Sequence, residues 1–285
     1  MEKPPKKFCA ALAILSICIL TAFAVIRARK TTEDPIEPIA LDIQIVAHRA
    51  GACAAPENTL VALETAIRSG ADMAEIDIRQ TKDHVLVALH DANLKRTTGL
   101  ERNVWDLDYE KLTELDAGSY FSDAFAGETI PTLNEILKAA KGRIFLMLEL
   151  KADGSEENME QEAVSLIRLH EMEEQCSIAS ADTEMLKTIK TLEPRLQTVY
   201  ITKALDAGDY ELPYVDGYSI KTAFLTEEAA ELAHEKQKKI YAWTANRELD
   251  VRKILRCRCD GIISDDLEMV ENCLHPQMVR GLRRM

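Results

Sequence analysis

No cysteine pattern in this chain staples a small fold or binds zinc. Of seven cysteines, Cys9 and Cys18 sit in an apolar N-terminal run, and Cys53, Cys176, Cys257, Cys259 and Cys273 are scattered through the body. Their odd number and spacing fit neither a disulfide framework nor a zinc ribbon, and Cys257 and Cys259 are too close for an easy mutual bridge, so they read as thiols. There is no internal repeat and no low-complexity tract. Positive charge is also scarce. Residues 1–30 hold six basic side chains and one acid, which leaves 29 basic against 47 acidic residues in the remainder. A body so acidic repels nucleic acid and favours a small soluble ligand over an anionic lipid surface as partner.

What the chain does have is an ordinary globular composition, 47% apolar and 29% charged, which is enough to build a core. Residues 8–26 read FCAALAILSICILTAFAVI, nineteen residues without a charge, about the length that crosses a hydrocarbon core as a helix. Lys3, Lys6 and Lys7 precede the run and Arg27, Arg29 and Lys30 follow it. This favours an uncleaved membrane anchor in 1–30. The alternative is a signal segment cleaved after the A-x-A pattern of Ala22 and Ala24, giving a secreted protein. Basic residues on both flanks leave the membrane side open. Residues 31–42, with two prolines and several acids, read as a linker.

From residue 43 onward, short β-rich runs alternate with helical patterns. Strands are expected over 43–48, 73–79, 85–90, 144–150, 176–180, 198–202, 218–221, 240–243 and 261–264. Helices are expected over 59–69, 133–141, 157–169, 183–192, 226–236 and 248–255. The alternation predicts a parallel sheet, and roughly 250 residues suit a TIM-like (β/α)8 barrel. Nine runs compete for eight barrel positions, and the join between Arg79 and Val85 is too short for a crossover helix. One run is therefore either not a strand or lies outside the regular pattern. Residues 92–130, rich in turns and aromatics, read as a small inserted subdomain over one barrel mouth, within a domain spanning 43–285.

Alternate strand residues share a face, so Glu75 and Asp77 in A-E-I-D-I point into one space, and Glu149 and Lys151 in M-L-E-L-K repeat the arrangement. Ionised carboxylates facing one another repel unless a cation lies between them. Two readings remain: an internal salt-bridge network with Lys151, or a site for a hard divalent ion, Mg²⁺ or Ca²⁺. His48 and His90 each end an apolar run, at strand C-termini where barrel enzymes place their chemistry, and imidazoles that titrate near neutrality suit an acid-base pair. They shift the balance to the metal reading. Arg49, beside His48, offers a fork for phosphate, and Lys151 a point charge.

These residues stand in a series of ordered motifs: A-H-R-A-G…P-E-N-T at 47–59, G-A-D-M-A-E-I-D-I at 70–78, T-K-D…H-D at 81–91, N-L-K-R-T-T-G at 93–99, D-A-G-S-Y-F at 116–121, I-P-T-L at 130–133, L-E-L-K at 148–151, A-W-T-A-N at 242–246 and D-G-I-I-S-D at 260–265. The series resembles the glycerophosphodiester phosphodiesterases over essentially all of 43–270. The resemblance implies a TIM-barrel hydrolase that uses a divalent metal, Mg²⁺ or Ca²⁺, to cut glycerophosphodiesters into an alcohol and glycerol 3-phosphate. It also implies that His48 and His90 are catalytic, that Glu75, Asp77 and Glu149 are metal ligands, and that Arg49 and Lys151 contact phosphate. Trp243 would then wall the substrate pocket, and Glu57 and Asn58 would support the metal shell. The same chemistry on a lipid, phosphatidylinositol or a lysophospholipid, is an alternative, as is a noncatalytic barrel that only binds. Two departures stand out. Ala50 replaces the family's glycine after H-R, where a methyl crowds a backbone turn that glycine accepts more freely, and His84 replaces the glycine after T-K-D, where a positive φ and an exposed turn are expected.

Overall fold

On the longest strand, Met73, Glu75, Asp77 and Arg79 alternate with Ala74, Ile76, Ile78 and Gln80, and all eight are buried. A strand with no exposed residue must be covered on both faces, as in a barrel ringed by helices. The computed structural model, described for residues 43–206 and 208–275, shows that arrangement. The strands are β1 (Gln44–Ala47), β2 (Met73–Gln80), β3 (Leu86–Ala88), β4 (Phe145–Leu150), β5 (Cys176–Ser180), β6 (Gln197–Thr202), β7 (Gly217–Lys221), β8 (Lys239–Trp243) and β9 (Gly261–Ser264). Eight of them run parallel in the order β2, β4, β5, β6, β7, β8, β9, β1, and β1 pairs back onto β2 to close the ring. The run standing outside is β3, which pairs antiparallel with β2 as a hairpin. The apolar run at 8–26 and the linker lie outside the described residues; within those, no helix is long and apolar enough to cross a membrane.

The ring of helices comprises α1 (Leu60–Arg68), α2 (Leu133–Ala140), α3 (Met159–Leu169), α4 (Thr183–Leu192), α5 (Glu227–Glu235), α6 (Glu248–Arg256) and α7 (Leu267–Leu274). In α2, Leu133, Ile136, Leu137 and Ala140 are buried, an i, i+3, i+4, i+7 stripe that lays one face on the sheet. Thr59, Asp182, Thr226 and Asp266 accept backbone N–H bonds at the starts of α1, α4, α5 and α7. These bonds satisfy donors that a helix cannot pair internally. Between β6 and β7 the described residues form only the one-turn helix Asp209–Glu211.

Seven barrel strands each contribute one residue to an interior cluster: Val46, Met73, Met147, Ala179, Val199, Tyr241 and Ile263. The remaining strand, β7, brings Gly217 and Ser219 to pair with Lys239 and Tyr241 of β8. The barrel is thus a packed core, not a pore. One step further along, towards the C-terminal ends, the inward positions that follow Val46, Met73, Met147 and Ile263 are polar: His48, Glu75, Glu149 and Asp265. Between β3 and α2 the chain holds one-turn helices at Lys95–Thr98 and Tyr109–Leu112, built on a separate small core of Val87, Leu89, Leu94, Val104, Leu112, Ala117 and Ile130.

Candidate active site

Because Asp77 pairs in register with Glu149 on the neighbouring strand, and Glu75 lies one inward position below Asp77, three carboxylates are forced into one space. Oxygens of Glu75, Asp77 and Glu149 all lie within 4.8 Å of one another. Lys151 lies 2.7 Å from Asp77 Oδ1 and 2.5 Å from Glu149 Oε1. A pure salt-bridge network therefore accounts for two of the three acids. Glu75 is the exception: its Oε2 accepts the Arg49 backbone N–H at 2.8 Å, while its buried Oε1 has no hydrogen-bond partner. Burial first, then the facing Asp77 charge, push Glu75 up to about 8. Burial would also raise Asp77, but Lys151 and His90, with hydrogen bonds from Lys151 and Asn58, hold it well below the usual carboxylate range. A divalent cation bound among these oxygens would satisfy the orphaned atom and relieve the repulsion, so the donor set fits a hard ion.

Arg49 and Ala50 have φ of 50° and 63°, turning the chain so that Arg49 faces the cluster. The left-handed region costs a non-glycine residue roughly 1–2 kcal/mol. Ala50 accepts that cost and tucks its methyl into the outer core. The other departure, His84, also has positive φ and is an exposed turn residue. Arg49 Nη1 donates to Glu57 Oε1 at 3.0 Å, while its buried Nε has no hydrogen-bond partner and sits 3.8 Å from Asp77 Oδ2. A buried guanidinium donor left without an acceptor, beside a carboxylate cluster that suits a cation, is the complement of an anion bound at that cation.

Both histidines reach this space, and each is held by a carboxylate. His48 Nδ1 lies 2.6 Å from Asp265 Oδ1, just past the end of β9. His90 Nδ1 lies 2.7 Å from Asp91 Oδ1. With Nδ1 engaged, Nε2 is the nitrogen left to exchange protons. Burial opposes charge on His48, but the Asp265 hydrogen bond and the Glu75 charge prevail and raise its pKa. For His90 burial prevails over Asp77 and Asp91, and its pKa is lowered. One imidazole is thus biased to keep a proton and the other to lack one.

Asn58, buried with φ 58°, donates from Nδ2 to Asp77 Oδ2 at 2.8 Å and accepts the Asp77 N–H at 3.1 Å, fixing that carboxylate. Glu57 is placed differently, reaching Arg49 and Arg96 instead of the three-acid cluster. Trp243 ends β8 against the interior cluster, its Nε1 donating to Ser219 O at 3.1 Å. Beside Glu149 and Lys151 opens a cleft of about 440 Å³, lined also by Asp153, Asp182, Thr183 and Tyr200.

Sequence reasoning left Asp91, Asp265, Asn246 and Arg79 without roles. Asn246 Nδ2 donates to Asp265 Oδ2 at 2.5 Å, and Arg79 donates from Nε (2.8 Å) and Nη2 (2.6 Å) to the His90 carbonyl. Asp91 and Asp265 did carry a signal, since each stands just past a strand, as the histidines do.

Two carboxylate-backed imidazoles beside clustered carboxylates, at the C-terminal mouth of a parallel barrel, define a class: β/α-barrel enzymes. Comparison with known proteins specifies the class further. Residues 48–269 match the glycerophosphoryl diester phosphodiesterase family, and the chain belongs to that family of enzymes. A glycerophosphodiester phosphodiesterase of Caldanaerobacter subterraneus subsp. tengcongensis is 31% identical over 233 residues, covering 80% of this chain and 96% of the relative. One from Bacillus altitudinis is 31% identical over 230 residues, covering 78% and 94%. Among solved structures, an Oleispira antarctica phosphodiesterase in complex with the product sn-glycerol-3-phosphate is similar at a TM-score of 0.77 and 28% identity, covering 81% of this chain and 96% of that one.

Proposed function

We propose that this chain hydrolyses glycerophosphodiesters to an alcohol and glycerol 3-phosphate, with His48 and His90 as the acid-base pair and a divalent metal, Mg²⁺ or Ca²⁺, held by Glu75, Asp77 and Glu149. The observation that carries the reading is that the buried Glu75 Oε1 and Arg49 Nε lack hydrogen-bond partners in a site that also holds the two carboxylate-backed histidines and Lys151. A bound metal supplies charge stabilisation for a phosphate oxygen. Arg49 and Lys151 bind and orient the phosphate, and Trp243 bounds the pocket. One histidine takes a proton at Nε2 from the attacking hydroxyl, either of water, which gives glycerol 3-phosphate directly, or of the glycerol 2-position, which gives a cyclic phosphate that water then opens to glycerol 3-phosphate. The other gives a proton to the departing alcohol oxygen. Asp265 and Asp91 hold the rings in the required tautomer. The product complex of the Oleispira antarctica structure supports glycerol 3-phosphate as the retained product. The cleft beside Lys151 leaves room for the alcohol.

The test is turnover of sn-glycero-3-phosphocholine with Mg²⁺ or Ca²⁺. Replacing His48 or His90 by Ala is expected to lower kcat by about 10²–10⁴-fold, with the melting transition retained. Unaltered turnover in either variant refutes the assignment.

A further inference from the structure

Resting on that reading, we propose that Arg96, in the one-turn helix of the inserted segment, is a positioning residue that clamps the His90 carboxylate and the Arg49 carboxylate together. Its Nε donates to Asp91 Oδ2 at 2.6 Å, and its Nη1 and Nη2 donate to Glu57 Oε2 and Oε1 at 2.8 and 2.7 Å. Asp91 meets His90 Nδ1 with its other oxygen, and Glu57 also accepts from Arg49 Nη1. One guanidinium thus joins two chains of contact, one ending on an acid-base imidazole and the other on a phosphate-binding arginine.

The geometry explains why this location needs an arginine. A carboxylate held at one oxygen can rotate about its Cβ–Cγ bond and carry the imidazole with it. Asp91 is held at both oxygens, so the His90 ring is fixed. Glu57 is gripped bidentately, and only a planar fork with a third donor can hold it and Asp91 at once; the lysine ammonium lacks that shape. The inserted segment adds a second tie nearby, where the Tyr120 hydroxyl accepts the Glu57 N–H at 3.0 Å. The inserted segment thereby sets the aim of residues carried by the loops after β1 and β3.

The experiment compares Arg96→Ala, Arg96→Lys and the unaltered chain on sn-glycero-3-phosphocholine at saturating Mg²⁺. Loss of a partner that orients a reacting group costs roughly 10–100-fold. That loss is expected in kcat for Arg96→Ala, from the His90 arm, with a rise in KM from the Arg49 arm, a smaller change in Arg96→Lys, and both variants melting cooperatively. Arg96 is 42% exposed, so free guanidinium can enter its vacated place. Guanidinium chloride at low millimolar concentration is expected to restore part of the kcat of Arg96→Ala and to leave the unaltered chain unchanged. Unchanged kcat in Arg96→Ala, or a loss that guanidinium does not relieve, overturns the clamp while leaving the proposed reaction standing. No turnover by the unaltered chain overturns both.

Discussion

At the scale of single residues, Glu75 is where the site stores its tension. Its carboxyl is raised from 4.5 to about 8 by burial and by Asp77, so the fold keeps a proton there that the unfolded chain has already lost. Between those values the folded state binds more protons, and stability falls as pH rises across that window. A cation must expel the proton, so affinity for Mg²⁺ or Ca²⁺ is expected to rise up to about tenfold per pH unit below about 8 and to level off above it. Calorimetric titrations in buffers of different ionisation heat read both the affinity and the released proton. Affinity that does not vary with pH, with no proton released, contradicts this account. Glu75→Gln should weaken binding and abolish the proton release.

Most of this cluster was legible in the sequence, because two-residue alternation dictates that Glu75 and Asp77 share a face and strand ends dictate where His48 and His90 emerge. The partners were less legible. Asp265 lies 217 residues from His48 and Arg96 lies 39 from Glu57; such contacts depend on how the ring closes and how the insertion folds back, and local pattern does not encode either. Glu57 shows the same limit. The P-E-N-T motif marks it as important, but only the tertiary arrangement assigns it to the arginines instead of the cluster.

At the scale of elements, the nine β-rich runs all form strands; the shortness of the join between Arg79 and Val85 showed that one run breaks the regular pattern, and the structure identifies it as β3. α7 was not singled out beforehand, since its eight residues, LEMVENCL, follow directly on the motif that closes at Asp265 and give too short a periodic window. By contrast, α2 has a visible start. Thr132 Oγ1 accepts the Glu135 N–H at 3.2 Å while Glu135 Oε2 accepts the Thr132 N–H at 2.8 Å, a reciprocal capping box after Pro131. This box fixes where the inserted segment ends and the regular barrel resumes. Thr132→Ala is expected to cost about 1 kcal/mol, read as a lower urea midpoint with unchanged slope, and Thr132→Ser should recover most of it. An unchanged midpoint in Thr132→Ala would show that packing alone sets the boundary.

At the scale of the whole molecule, chemistry and closure occupy different levels of the same barrel. Polar inward residues crowd the C-terminal mouth, and below them the ring is sealed by packing, closely so where β8, β9 and β1 meet. Gly261 begins β9, paired with Gln44 on one side and Tyr241 on the other. A Cβ at Gly261 would lie 2.4 Å from Tyr241 Cδ1 and 2.8 Å from its Cε1. The ring has little freedom to yield, because it fills the barrel interior and its hydroxyl is bonded to Gln44 Oε1 at 3.1 Å. Gly261→Ala must therefore displace the tyrosine or open the seam, and overpacking of this kind costs about 1–3 kcal/mol. The carboxylates and histidines belong to the loops and strand ends above, so turnover per folded molecule should be preserved. Urea unfolding followed by fluorescence, with activity measured below the transition, separates the two effects. A variant as stable as the parent would show that the interior is looser than its packing implies. A stable variant with lost turnover would show that the seam transmits strain to the mouth, and the division of labour within the barrel would fail.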